Sequence, residues 1–327
     1  MRWLTCDSGV WFMFLPDPSD RSGLTVTWSM LPLIGNDPER VLHLTDYTGA
    51  SPVMLLNDSL RGLGVPEVEH FSQTHVGVHG SEWRGFNVKP REVTLPVLVS
   101  GVDPDPDGGF RDGFLKAYDE LWSAFPPGEE GELSVKTPSG RERVLKCRFD
   151  SVDDTFTVDP VNRGYARYLL HLTAYDPFWY GDEQKFRFSN AKLQDWLGGG
   201  PVGKKGTAFP VVLTPGVGSG WDNLSNKGDV PAWPVIRVEG PLESWSVQID
   251  GLRVSSDYPV EEYEWITIDT DPRQQSALLN GFEDVMDRLT EWEFAPIPPG
   301  GSRSVNIEMV GLGAIVVSVQ YRFLRAW

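Results

Sequence analysis

Three histidines in the segment HFSQTHVGVHG are the residues whose types and spacing come closest to a metal site. His75 and His79 would share one face of a strand, and His70 precedes them in the same segment. No cysteine or carboxylate stands at zinc spacing beside them, and the intervening glycines make a weak scaffold. We therefore expect ordinary strand and turn histidines and no bound metal, with a metal site as the alternative.

Two other segments imitate loops that bind nucleotides or calcium. The stretch GGGPVGKK at 198–205 has the glycine and lysine spacing of a P-loop, but Lys205 replaces the hydroxyl residue that binds Mg²⁺. The stretch DPDPDG at 103–108 starts like an EF-hand loop, but Phe114 replaces the bidentate glutamate. We interpret the first as a flexible loop and the second as a loop leading into a helix, with adventitious calcium binding as its alternative.

No motif of a known class of enzyme is present. The sequence contains neither a GxSxG nucleophile elbow nor an HExxH zinc motif. Among 46 acidic residues some pair must lie at the separation that glycoside hydrolysis needs, so abundance alone identifies nothing. We expect no catalytic residues, no cofactor and no enzymatic activity.

Two aromatic features could either bind a ligand or close a fold. The first, AYDPFWYG, crowds rings around an Asp-Pro step where a strand pattern ends, and comprises Tyr175, Asp176, Pro177, Phe178, Trp179, Tyr180 and Gly181. Because proline holds the preceding residue extended and the chain then changes character, we predict a domain junction with Phe178 and Trp179 buried and Gly181 releasing the chain. The second feature is Trp245 and Trp265, which lie in alternating strands and are either buried or free to stack on a sugar.

Composition favours two β-rich domains. The length of 327 residues suits two domains, and 34 glycines and 26 prolines without a repeating period indicate many turns. Cys6 and Cys147 are far apart, so we expect free thiols in a protein made in a reducing cytoplasm. No segment has the pattern of a signal peptide or the length of a membrane span.

Charge excludes one class of partner. The formal net charge is −17, and neither half of the chain carries a basic patch. Binding to phosphates requires such a patch, so we expect no specific binding of nucleic acid, and an acidic surface repels DNA. We also expect no association with membranes.

Periodicity places these features on a mainly β chain with one helix. Alternating apolar residues predict a strand over 84–99, with edge positions or a break at Pro90 and Pro96. Apolar residues at steps of three and four predict a helix over 110–125. The sequence Pro138-Ser139-Gly140 predicts a hairpin turn between two alternating runs.

Two domains follow from these patterns. Glycine and proline accumulate over 186–231, so we place the domain boundary near residue 185. Short strands separated by turns then predict a β-sandwich, which makes 186–327 the second domain.

Taken in order, several phrases resemble the distal tail protein (Dit) family of long-tailed siphophages, also called phage minor tail proteins. Arg91 and Leu95 match the family's xRxxxL signature, and the predicted helix and the hairpin around Pro138 follow in family order. AYDPFWYG resembles the phrase that closes the family's first domain. NKGDVPAWPVIRVEG, ITIDT and PPGGSRSVNIE resemble phrases of its second domain, although Ser302 stands where the family has Asn. The resemblance spans about residues 45–327. It leaves residues 1–40 as an extension that is part of, or leads into, a first domain over 41–185.

The resemblance implies a structural protein of the virion. Such proteins form a homohexameric ring at the tail tip, which joins the tail tube protein to the tail-associated hub or baseplate and lets DNA pass. It implies a first domain with a tail-tube-like β-sandwich or split barrel and one packed helix. The second domain would be a galectin-like or carbohydrate-binding-module-like β-sandwich. The tape measure protein and a host cell-wall saccharide are further candidate partners, and receptor or carbohydrate binding is the alternative function.

A ring places demands on the surface of each subunit. Head-to-tail contacts need two different surfaces, and exposed hairpins such as 132–149 could be completed by neighbouring copies. An acidic lumen would repel passing DNA.

Overall fold

The computed structural model describes residues 23–30, 40–45, 51–56, 58–77, 79–101, 109–154, 159–189 and 217–327. The chain divides into two compact units. The first contains the described residues up to Gly181 together with Phe323–Trp327, and the second is Asp182–Arg322. The sequence patterns instead placed the boundary near 185 and all of 186–327 in the second domain. The difference arises because the last residues return to the first unit, which no local pattern reports.

The first unit is an antiparallel β structure with one long helix. Its elements are β1 (Thr25–Met30), β2 (Arg40–His43), β3 (Val53–Leu55), β4 (Val68–Gln73), β5 (Glu82–Val88), β6 (Arg91–Ser100), α1 (Gly109–Ser123), β7 (Glu130–Lys136), β8 (Glu142–Asp153), α2 (Pro160–Arg163), β9 (Tyr165–Ala174) and β10 (Trp179–Ser189). The strands pair in the order β2-β1-β7-β8-β9-β6-β3, and β10 crosses into the second unit.

Strand β8 changes partner along its length. Val144 lies opposite Tyr180 of β10, whereas Arg148 and the residues after it lie opposite β9. A bulge between Phe149 and Ser151 marks the second part, and bulges bend a strand and increase its twist. The same side of this long strand therefore pairs first with β10 and then with β9.

The predicted helix and hairpin are confirmed. Helix α1 buries Phe114, Ala117 and Leu121, because apolar residues at steps of three and four fall on one side of a helix. The turn around Pro138-Ser139-Gly140 joins β7 to β8. The alternating run 84–99 forms two strands instead of one, since Pro90 separates β5 from β6, whereas Pro96 lies inside β6 opposite Leu169.

Trp28 links the sheet of the first unit to the end of α1. Its ring stacks on Phe125 with centroids 4.7 Å apart, and its Nε1 donates a hydrogen bond of 2.7 Å to the carbonyl oxygen of Ala124. The indole therefore buries a large apolar area without leaving its N–H unpaired. Gly131 on β7 faces this ring, and a Cβ there would lie 2.2 Å from the indole.

The second unit is a β-sandwich, as the sequence predicts. Its elements are β11 (Val217–Ser225), β12 (Pro234–Glu239), β13 (Leu242–Ile249), β14 (Leu252–Ser256), β15 (Trp265–Asp269), β16 (Ser276–Leu279), β17 (Glu283–Asp284), a 3₁₀ turn (Met286–Arg288), β18 (Glu291–Trp292), β19 (Ser302–Gly311) and β20 (Ala314–Phe323). One sheet runs β17-β16-β15-β12-β20 and the other β11-β19-β13-β14-β18. Alternate residues of both sheets are buried and form its core.

Among the described residues, no helix is both long and apolar enough to cross a bilayer.

We expect Gly131→Ala to lower the free energy of unfolding by about 1–3 kcal/mol, because the added methyl group displaces the Trp28 ring from its packed position. Urea unfolding followed by tryptophan fluorescence measures this change. Gly23→Ala is the matched control, since a Cβ at Gly23 meets nothing within 4 Å. Equal stability of the two variants would contradict the packing role of Gly131.

Candidate assembly site

The histidines considered for metal binding do not form a metal site in the part of the chain that the structure describes, where no three His, Cys, Asp or Glu side chains converge on a metal position. The Nε2 atom of His75 lies 3.7 Å from a carboxylate oxygen of Glu82, and Nδ1 of His70 lies 3.2 Å from the indole nitrogen of Trp83. His79 is exposed. The three histidines thus belong to one exposed hairpin and its turn.

Three sequence predictions fall outside the described residues. These are the calcium-like loop 103–108, the P-loop-like segment 198–205 and the thiol of Cys6. Cys147 is described and buried in the core of the first unit. Burial raises the pKa of its thiol far above the ordinary value, so this cysteine is an unreactive core residue.

The buried guanidinium of Arg91 donates hydrogen bonds to four backbone carbonyls of the first unit. Its Nε donates to the carbonyl oxygen of Pro177 at 2.8 Å, and its Nη1 donates to the carbonyls of Gly62 and Gly64 at 2.7 and 2.5 Å. Its Nη2 donates to the carbonyl of Leu324 at 2.8 Å. One side chain therefore joins a turn, the AYDPFWYG segment and the C-terminal residues.

Burial also changes the acidity of this group. Arg91 is almost completely enclosed, and desolvation lowers the pKa of its guanidinium to about 10. The group is still protonated at neutral pH, because that value lies well above 7. The four carbonyl oxygens supply the negative potential that a buried cation needs.

The AYDPFWYG segment lies at the end of the first unit. Trp179 is fully buried, Pro177 is buried and Phe178 is half-buried, whereas Tyr175 is exposed. The Trp179 ring centroid lies 5.9 Å from the Arg91 guanidinium carbon. The hydroxyl of Tyr180 donates to a carboxylate oxygen of Asp176, and that ring lies half-buried near Lys146. Most of these rings therefore contact the protein itself instead of lining an open groove.

Gly181 is the last residue of the first unit before the chain enters the second. A Cβ at Gly181 would lie 2.5 Å from the ring of Phe323, so only glycine permits this close approach. The outgoing and returning segments of the chain thus pass side by side within the first unit.

The C-terminal residues are anchored in the first unit by backbone and side-chain contacts. The guanidinium of Arg143 stacks on Phe323 at 3.6 Å and donates to the carbonyl of Arg325 at 2.6 Å. Ala326 is buried, and its backbone N–H donates to the carbonyl of Leu63 at 3.0 Å. Sequence reasoning missed this anchor, because the Arg91–Leu324 contact joins residues 233 positions apart.

Strands β4 and β5 form a separate two-stranded ribbon with an apolar face in solvent. His70 lies opposite Phe86 and Ser72 lies opposite Trp83, so these side chains share one face of the ribbon. Trp83 is 60% exposed and Phe86 58% exposed, and their rings stack with centroids 6.4 Å apart. Val68 and Val88 continue the apolar face at the base. We call this surface the aromatic ribbon.

The hairpin 132–149, which the sequence analysis expected to pair with neighbouring copies, does not have an open edge on β7. Strand β7 is paired with β1 on one side and β8 on the other, and β8 is itself paired with β9 and β10. The suggestion that another copy completes 132–149 is therefore wrong for β7, because both sides of that strand are already paired. The exposed hairpin is the aromatic ribbon.

The two candidate saccharide platforms differ in access. Trp245 is 3% exposed, so its ring faces are covered by the sandwich core and cannot stack on a sugar. Trp265 is half-buried, with the Arg237 guanidinium 4.8 Å from its ring centroid. Trp292, which the sequence analysis did not single out, is exposed on the edge strand β18.

The sequence matches no family model and no curated protein. Among solved structures, the chain is similar to the Dit (gp 19.1) protein of phage SPP1, which is described as a paradigm of the hub adsorption apparatus in phages infecting Gram-positive bacteria. The TM-score is 0.54 at 15% identity, over 92% of this chain and 99% of the SPP1 chain. It is also similar to a chain of the phage P2 baseplate in its activated conformation with Ca, with a TM-score of 0.50 at 11% identity, over 91% and 98% of the two chains.

We expect Arg91→Met to lower the free energy of unfolding by about 2–5 kcal/mol, because it removes a buried cation and leaves carbonyl oxygens without donors. Chemical denaturation of the full chain measures the loss. Arg167→Met is the control, since Arg167 is paired with Asp58 in solvent, and it should cost less than about 1 kcal/mol. Similar losses of unfolding free energy in both variants would show that buried Arg91 stabilises the protein no more than an exposed arginine does.

The chain consists of two mainly β units, each built from antiparallel strands. It shares this fold with the SPP1 Dit protein along nearly the whole length of both chains.

Proposed function

We propose that this chain is a distal tail protein of a phage, a structural and non-enzymatic component of the tail tip or baseplate. Its first unit assembles into a homohexameric ring that joins the tail tube to the tail-associated hub and lets DNA pass. The aromatic ribbon is the observation that carries the proposal. The shared fold with the SPP1 Dit protein supports it, because that likeness extends over both units.

The aromatic ribbon needs a partner on physical grounds. A two-stranded ribbon is at best marginally stable alone in water, and this one exposes an indole and a phenyl ring on the same face. Burying both rings against another subunit removes that apolar area from water. Aromatic residues of this kind are typical anchors of protein interfaces.

A second copy of the chain is the partner that fits a ring. The ribbon has no equivalent in the second unit, where the described strands belong to the two layers of a sandwich. In a closed ring it contacts a different surface on the neighbouring copy, which is a heterologous contact. Heterologous contacts generate closed rings when the rotation between copies closes.

Charge agrees with a conduit for DNA. The net charge of −17 per chain multiplies in a ring, and an acidic lumen would repel a passing duplex and prevent it from binding. An acidic lumen is therefore part of what we propose.

Partners follow from the position of such a ring. We assign the tail tube protein to one side and the tail-associated hub protein to the other, with the tape measure protein as a further contact. The segment Tyr175–Gly181 acts as the junction between the ring-forming unit and the β-sandwich. The protein is made in the cytoplasm of the host bacterium and functions in the virion tail tip.

Receptor binding by the second unit is the second candidate function. The observation that favours it is a shallow polar groove of about 310 Å³ on the sheet of β13, β14, β18 and β19. Arg253 lies in it, bonded to Ser246 Oγ at 2.8 Å and to Glu291 at 3.1 Å, and hydroxyl-rich grooves of this kind suit a saccharide.

Arg253→Ala should abolish binding of purified host wall polysaccharide in calorimetry if this groove is a saccharide site, because the guanidinium lines the groove and orders its polar groups. Arg303→Ala, which removes another cation of the same unit, is the control. Failure of the unmodified protein to bind wall polymer removes the second candidate and leaves the first unaffected.

Native mass spectrometry and negative-stain imaging of the full chain test the first candidate. We expect a ring of six copies, and we expect Trp83→Ser combined with Phe86→Ser to raise the concentration for half-assembly at least about 30-fold, as loss of interface anchors does. Trp292→Ser is the control, since it removes an exposed indole outside the ribbon.

Two results would contradict this proposal in different ways. A chain that stays monomeric at high concentration, alone and with its tail tube protein, would exclude the ring. A ring that forms equally well in the double variant would keep the ring and exclude the aromatic ribbon as its contact.

A further inference from the structure

Four loops meet at one end of the sandwich of the second unit. They are 240–241, 257–264, 280–282 and 312–313. They share this end because β12 and β19 finish there while β13, β15 and β20 begin there, as the antiparallel register shows. We call this surface the loop end.

Hydrogen bonds join each of these loops to the next. They run from the backbone N of Leu312 to the carbonyl of Pro241 at 3.0 Å, from Gly240 N to the carbonyl of Glu264 at 2.9 Å, and from Asn280 N to the carbonyl of Trp265 at 2.8 Å, with Asn280 Oδ1 accepting from Trp265 N at 3.1 Å. A continuous row of polar contacts therefore holds the four loops together.

Two glycines bring the loops closer than side chains would allow. A Cβ at Gly240 would lie 2.0 Å from the carbonyl oxygen of Glu261, and one at Gly313 would lie 2.1 Å from that of Glu239. The backbones are thus in direct contact. A surface built on such contacts is preorganised, which lowers the entropic cost of binding a partner.

Large apolar side chains project from this scaffold into solvent. Tyr263 is 86% exposed, Phe282 79% and Leu312 52%. Of the large apolar side chains that the described part of the second unit exposes, all but Trp292 lie on the loop end. Grouped exposure of this kind indicates an interaction surface, whereas scattered exposure does not.

Backbone conformation also favours display of these side chains. Tyr263 has φ 71°, a left-handed conformation that is unfavourable for a residue other than glycine. Phe282 follows Asn280 and Gly281, whose φ values of 53° and 85° suit a tight two-residue turn. Both rings therefore stand on constrained turns that point them away from the core.

The charge around these rings is strongly negative. Segment 257–264 holds four acidic residues and no basic one. Segment 280–288 holds three acidic residues and one basic residue, Arg288, whose guanidinium is already paired with Glu283 at 2.6 Å. An acidic rim repels nucleic acid and anionic membranes, and it attracts lysine and arginine side chains.

We propose that the loop end is a docking surface for a second protein, whose contact is apolar at its centre and rich in lysine and arginine around it. The exposed rings of Tyr263 and Phe282 bury against the apolar centre, and the carboxylates of Glu261 and Glu262 pair with the basic rim. Interfaces with an apolar core and a polar rim have this arrangement. The surface is separate from the aromatic ribbon, which lies in the first unit.

The choice of probes rests on the proposed function, because a tail-tip protein meets the other proteins of its own tail. Each of the other tail proteins encoded with this chain is purified and tested against the full chain by biolayer interferometry, at about 50 and 500 mM NaCl. Host wall polysaccharide and a second copy of the chain are tested in parallel.

We expect one tail protein to bind, and Tyr263→Ser combined with Phe282→Ser to weaken that binding at least about tenfold through faster dissociation. Glu261→Lys combined with Glu262→Lys should slow association and remove much of the salt dependence. Trp292→Ser, the matched control, should bind like the unmodified chain, because its ring lies outside the loop end.

Four results would overturn the docking surface: no tail protein binds, binding is unchanged in both double variants, the variants alter only self-association, or wall polysaccharide is the ligand that they lose. Ring formation by the same variants is recorded by native mass spectrometry. Loss of tail-protein binding with an intact ring supports the surface. Absence of a ring in the unmodified chain contradicts the proposed function without deciding the docking measurement.

Discussion

The buried guanidinium of Arg91 is the interaction on which the first unit depends. A cation placed in a protein interior loses its hydration, and that loss is offset only when its donors all find acceptors. Here the acceptors are backbone carbonyls from the turn at 62–64, from Pro177 and from Leu324. Three distant parts of the chain must therefore be in place together before this side chain is satisfied.

The first unit is built from two separate parts of the chain. The chain leaves it after Gly181 and returns at Phe323, so the second unit is inserted between these two residues. The ring of Phe323 lies so close to residue 181 that only glycine fits there, and the guanidinium of Arg143 stacks on the same ring. These contacts hold the outgoing and returning segments together. The first unit is complete only when the C-terminal residues have been made, and contacts of such long separation are slow to form.

Both units combine a closed interior with a limited apolar surface that projects into solvent. In the first unit that surface is the aromatic ribbon with Trp83 and Phe86, and in the second it is the loop end with Tyr263 and Phe282. Elsewhere the strand edges that sequence reasoning considered open, such as β7, are already paired. Apolar area that a fold leaves exposed in this grouped way is available for contact with other molecules.

The sequence alone determined the features that depend on neighbouring residues. The spacing of Phe114 to Leu121 predicted helix α1, and Pro138-Ser139-Gly140 predicted the hairpin turn, because both depend on backbone preferences within a few residues. Only the tertiary structure decided that Trp245 is buried while Trp83 is exposed, and that Leu324 returns to Arg91. Alternation assigns a side chain to one face of a strand, but which face is covered depends on segments that are distant in the sequence.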